Sequence, residues 1–210
     1  MKRRLACLFV LGALASGLAR ADDAESRYAL DPKAGEVALY VKKKGALKAF
    51  AHDHDFVANV YTGTAAWVAG APERAAIDIE IDARELVIRD VGLSADDRAT
   101  VQKRALSDEV LDVAHFPKVT FVSQTVVVHA KDPSGHTPVS VRGKLTLHGV
   151  ARQTVIDALV EEKQDEIVLT GEYVFKQSDH GIEPYSAGFG AVAVEDAMTL
   201  KFKLVARRAK

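Results

Sequence analysis

Only one cysteine occurs in the chain, Cys7. Basic residues, not an apolar run, precede it, which excludes a lipoprotein attachment site. A single thiol so placed gives the rest of the chain neither a disulfide framework nor a thiolate metal site. Net charge is nearly absent too: 28 Lys and Arg stand against 29 Asp and Glu, leaving −1. Nucleic-acid binders usually present a basic face; nothing here demands one, and Arg207-Arg208-Ala209-Lys210 reads as a solvated basic end. Repeats, low-complexity tracts and Pro/Gly/Ser-rich linkers are missing, so no internal boundary divides the chain. The signatures of covalent and phosphate chemistry are missing as well. There is no Gly-x-Ser-x-Gly elbow and no Gly-rich loop opening a helix, and Asp179-His180 stands without a nucleophile. The expectation is a protein that is not an enzyme and requires no cofactor.

No apolar run is long enough to span a bilayer comfortably. The longest, Leu5 to Leu18, follows Lys2-Arg3-Arg4 and precedes Ala19-Arg20-Ala21 and the acidic Asp22-Asp23. That is the layout of a secretory signal peptide. Residues 1–21 are expected to be removed before Asp22, and residues 22–210 to form one periplasmic domain with no stable membrane span.

What the chain does have is alternation. Val37, Leu39 and Val41 are separated by polar or small residues; so are Ile77, Ile79 and Ile81, the run Val139, Val141, Gly143, Leu145, Leu147, and Leu200, Phe202, Leu204. A period of two puts one face of each strand in an apolar interior. Further strand-like runs are 56–62, 65–68, 118–128, 154–160 and 167–175, punctuated by turn residues at Lys44-Gly45, Gly70-Ala71-Pro72, 132–135 and His148-Gly149. One stretch, 94–112, reads as a helical crossover capped by Ser94 and ended near Pro117. About eight antiparallel strands favour a closed barrel over a sandwich, and a barrel of that size either fills with side chains or holds one small ligand.

Several blocks then resemble a known family. They are Tyr28-Ala-Leu-Asp31-Pro32, the Gly45 to His54 segment, "FPKVTFVS" from Phe116, "GKLTLHGVAR" from Gly143 and "DHGIEPYSAG" from Asp179. Their order resembles the YceI-like family of secreted bacterial proteins. The resemblance implies an all-β, lipocalin-like antiparallel barrel that encloses an isoprenoid lipid or quinone, as a periplasmic carrier. The His52-Asp53-His54 run is not usual in that family, so the chain resembles a His-rich branch of it.

Two groups of residues are candidates for a site. The first is an apolar lumen lined or plugged by Phe50, Phe56, Trp67, Ile77, Ile79, Ile81, Phe116, Phe121, Leu145, Leu147, Phe175, Phe189 and Phe202. The second is the barrel mouth, with His52, His54, His148, His180 and Tyr185 as partners for a polar head group. His52 and His54 are two apart and would project together from an extended segment. If His148 lies beside them, three imidazoles could hold a metal ion, since structural and catalytic sites need three or four ligands at once. Three readings stay open at this stage: a lipid or quinone carrier, a metal-binding protein using His52, His54 and His148, and a structural stress-response protein with a filled core. Monomer and homodimer are equally open.

Overall fold

The computed structural model describes residues 26–46, 52–68, 71 and 74–208. The expected signal peptide, 1–21, and Phe50 lie outside the described residues. Among the described residues twelve strands follow one another, with one α-helix between the sixth and the seventh. They are β1 (Ser26–Leu30), β2 (Glu36–Lys44), β3 (His54–Ala58), β4 (Tyr61–Trp67), β5 (Ala76–Asp82), β6 (Leu86–Ile88), β7 (Lys118–Val128), β8 (Thr137–Leu147), β9 (Val150–Glu162), β10 (Glu166–Lys176), β11 (Ser186–Ala187) and β12 (Val192–Arg208). The helix, α1, runs Ala95–Leu106. Every pairing is antiparallel.

The barrel closes differently at its two ends. In the order β1-β4-β5-β7-β8-β9-β10-β12, with β1 returning to β12, eight strands form a closed ring. β1 meets only the last residues of β12, Tyr28 opposite Arg208 and Leu30 opposite Ala206. Nearer its start, β12 pairs with β2 instead, from Ala193 to Lys203. From there the sheet continues through β3 to β6. β6 does not meet β7: the last residue of β5, Asp82, faces Lys118, the first residue of β7. A seam is therefore left between β6 and β7, and α1 with the turns that follow it, Ser107 to Pro117, lies in the chain between those two strands.

The helix begins where the sequence marks it. Ser94 accepts a hydrogen bond from the Asp97 amide, Asp96 and Asp97 sit in the first turn, and Lys103 and Arg104 in the last, in keeping with the helix dipole. None of its residues is buried. Its hold on the barrel is specific all the same. Gln102 accepts from the Ile88 amide at 2.7 Å and donates to the Leu86 carbonyl at 2.6 Å. One side-chain amide thus takes the place of a neighbouring strand along the free edge of β6. Gln102→Ala is expected to cost about 2 kcal/mol, one for each lost bond, and to speed exchange of the Ile88 amide. Urea unfolding and hydrogen-exchange mass spectrometry check the two parts.

Inward-facing side chains form two clusters. The larger fills the barrel and includes Trp67, Ile77, Phe121, Val141, Leu145, Ile156, Ile167 and Leu204. The smaller, Val41, Phe56, Ile88 and Met198, lies at the helix end, with Val101 and Ala105 of α1 packed on it. Phe121 crosses to the neighbouring strand and lies over Gly143. A Cβ at that glycine would come within 2.5 Å of the ring, so the phenylalanine requires a residue with no side chain beneath its ring.

Candidate functional site

The alternating strand faces leave a space between them. A cavity of about 140 Å³ runs inside the barrel, and all but one of its lining residues are apolar, the exception being Thr120. Phe56, Ile77, Ile79, Ile81, Phe121, Leu145, Leu147, Phe175 and Phe202 all line it. At the far end Trp67, buried between Ala65, Val126 and Ile167, leaves a void of only about 20 Å³ and plugs the barrel.

At the helix end a second chamber, of about 130 Å³, continues from the first. Leu39, Phe56, Leu86, Leu111 and Met198 line both. Here the wall changes character. Val101, Arg104 and Ala105 of α1 form one side, and His54, Gln177 and Tyr185 add polar groups. Arg104 donates to the Tyr185 hydroxyl at 3.0 Å and stacks over the same ring at 4.7 Å. It also pairs with Glu109 at 3.2 Å. Gln177 is buried, its amide committed to the Glu195 carbonyl at 2.7 Å.

His54 opens β3, and its surroundings hold it firmly. Nδ1 lies 2.6 Å from Oδ2 of Asp90, whose other oxygen accepts from the Asp55 amide at 2.7 Å. Asp90 is itself buried. On the outer side of this pair, Arg89 bridges Glu36 and Asp55 at 2.8 and 2.9 Å. Its guanidinium is pushed above its ordinary range, first by the hydrogen bond to Glu36 and then, against some desolvation, by Asp55. It stays charged at any working pH.

The remaining mouth residues go elsewhere. His52 precedes the strand and borders an outer cleft with Lys43, Asp53 and Arg89, not the chamber. The side-by-side projection expected of His52 and His54 fails because β3 starts at His54, so the period of two does not reach back to His52. His148 takes a left-handed backbone, φ 50°, in the two-residue turn between β8 and β9, beside Gly149 at φ 71°. Its ring meets the edge of Phe116 at 4.7 Å. His180 is sealed in a short 3-10 turn at 2% exposure, and its Nδ1 donates to the Val150 carbonyl at 3.0 Å. It is a structural residue and not a mouth residue. Among the described residues, no group of three His, Cys, Asp or Glu is placed to hold a metal ion.

Two aromatic residues expected in the lumen are not there. Phe116 does not reach it and lies against the β8–β9 turn, where a Cβ on Gly149 would approach the ring to 2.5 Å. Phe189 is fully exposed, at 113%, between Gly188 and Gly190 in the β11–β12 connection, with all three residues at positive φ. Both belong to turns, where no alternation assigns a face.

The match to known proteins agrees with this geometry. The profile of the YceI-like domain covers residues 28–206. The chain belongs to the YceI-like family. Curated relatives include UPF0312 proteins of Pseudomonas savastanoi pv. phaseolicola and Pseudomonas syringae pv. tomato. Each is 33% identical over 98 residues, which is 47% of this chain. The matched part spans 44% of those relatives, less than half their length. Among solved YceI-like structures, Burkholderia cenocepacia BcnA superposes with a TM-score of 0.64 at 18% identity, covering 84% of this chain and 98% of its own. A polyisoprenoid binding domain from Saccharophagus degradans, implicated in plant cell wall breakdown, gives 0.61 at 16% identity, covering 87% and 98%. The YceI protein of Campylobacter jejuni gives 0.53 at 16%, covering 72% and 82%. At these identities the likeness is one of fold. Within the YceI-like frame, the His54–Asp90 pair is the feature that sequence reading missed. Asp90 lies 36 residues from its partner, in a stretch with no alternation and no neighbouring histidine.

Proposed function

We propose that this YceI-like protein binds an isoprenoid lipid or prenyl quinone, with the tail in the lumen and the head in the chamber beneath α1. On this reading it acts as a carrier exported to the periplasm by residues 1–21. The observation that carries the proposal is the continuity of an apolar lumen with a chamber that gains polar groups only at the helix end. That is the layout an amphiphile with one polar end requires, and burial of its tail is favourable by about 25 cal/mol per Å². The polyisoprenoid binding domain of Saccharophagus degradans, which shares the fold, supports the same ligand class.

The volumes bound the ligand. A cavity near 150 Å³ holds one benzene ring, so the chamber beneath α1 accepts one head-group ring and the lumen roughly one isoprene unit. A longer tail must widen the wall or leave through the seam between β6 and β7.

Native mass spectrometry of the exported protein, purified without a tag, tests the proposal. The expected result is an additional mass of several hundred daltons, on the order of one small lipid, that extracts into organic solvent. Ile79→Lys should lack that mass, because an unpaired charge in the lumen is costly. Glu80→Lys, whose side chain is outside the barrel and paired with Lys118, should keep it. A clean apo mass for the wild type, with no uptake of an added prenyl quinone, would sink the carrier reading.

A further inference from the structure

His54 has two ring nitrogens, and the fold has already committed one. Nδ1 faces Asp90 Oδ2 at 2.6 Å. A carboxylate only accepts hydrogen bonds, so Nδ1 carries the proton and donates it. In the neutral ring Nε2 is then a bare acceptor. His54 lines the chamber beneath α1 and Asp90 does not; Asp90 borders the outer cleft, where His54 does not appear. The ring edge away from Asp90, which bears Nε2, is thus the edge toward the chamber. No described residue forms a hydrogen bond with Nε2. An acceptor backed by a buried carboxylate faces an otherwise largely apolar space.

We infer that His54, positioned by Asp90, selects a head group that ends in a phenolic hydroxyl, so that the site prefers the hydroquinone form of a prenyl quinone to the quinone. The inference rests on the carrier reading and adds the redox form of the ligand to it. A hydroquinone donates its O–H to Nε2. A quinone offers only carbonyl oxygens, which meet the Nε2 lone pair as acceptor against acceptor, and that arrangement leaves both groups unsatisfied.

The anchoring of Asp90 makes the preference reversible by one substitution. Oδ1 accepts from the Asp55 amide at 2.7 Å, so an asparagine at position 90 must keep its carbonyl oxygen there. Its NH2 group then replaces Oδ2 and donates to His54 Nδ1. The proton moves to Nε2, and the chamber presents a donor in place of an acceptor. Asp90→Asn should therefore turn a hydroquinone site into a quinone site without altering its shape.

The test is calorimetric titration with a benzoquinone bearing a one-isoprene tail, with its hydroquinone, and with the same tail on an unsubstituted benzene ring. It is run without oxygen, so that the hydroquinone is not oxidised during the titration. Wild type is expected to bind the hydroquinone about tenfold tighter than the quinone, in line with one neutral hydrogen bond gained and one acceptor no longer left unpaired. Asp90→Asn should reverse the order. His54→Leu should lose the discrimination between the two forms, and Glu80→Lys, outside the barrel, should keep both the wild-type order and the affinity for the tail probe. Equal binding of the two forms by wild type, or an unchanged order in Asp90→Asn, would overturn the inference while leaving the lipid site in place. Failure of wild type to bind even the tail probe would remove the carrier reading and the inference with it.

Discussion

Phe121→Asp is expected to unfold the barrel or bring it close to unfolding. Phe121 is buried, lines the lumen on β7 and lies over Gly143 of β8. Removing a buried phenylalanine costs about 3–5 kcal/mol. A carboxylate in its place adds the cost of an unpaired charge among apolar neighbours. The total reaches the scale of a typical domain's entire stability, about 5–15 kcal/mol. Glu80→Lys on the adjacent strand should change stability by less than about 1 kcal/mol, because the Glu80 side chain is half-exposed outside the barrel and its ion pair with Lys118 is solvent-screened. Chemical unfolding of the two variants decides the matter: equal midpoints would place Phe121 outside the packed interior.

Filling the lumen separates binding from stability. Ala158 lines it on β9, facing Val139 of β8 and Gly171 of β10. Ala158→Phe adds about one benzene ring to a space that holds about one. The fold should survive with a change below about 3 kcal/mol, the usual cost of overpacking. Bound lipid should disappear, and affinity for a prenyl quinone should fall at least about a hundredfold, in line with direct loss of the tail site. Leu159→Phe is the control, one residue along and exposed on the outer face. A wild-type affinity in Ala158→Phe would mean that the ligand does not occupy the barrel.

The strands were legible because two-residue alternation is a property of neighbouring side chains. Ile77, Ile79 and Ile81 announce an inward face whatever they pack against, and 118–128 is a strand with those bounds. β1 and β6 were not legible. Each is short, and β6 is held by an amide from α1, so its strand character is set by partners distant in sequence. The run 56–62 breaks at Asn59-Val60, where β3 leaves one part of the wall and β4 enters another. The lumen was readable for the same reason as the strands. The mouth was not, because its residues sit at strand ends and in turns. There the backbone decides direction, as at His148 with its positive φ and at Phe189 between two glycines.

The helix contributes no buried residue, and a few hydrogen bonds and partly buried side chains tie it down. Regions of that kind open at a small fraction of the free energy needed to unfold the whole. The ring of eight strands needs none of those contacts to stay closed. How long the molecule retains its contents and how well it resists denaturation are therefore only partly coupled. Apart from Gln102, which ties α1 to β6, changes in α1 can shorten or lengthen residence with little effect on the melting temperature.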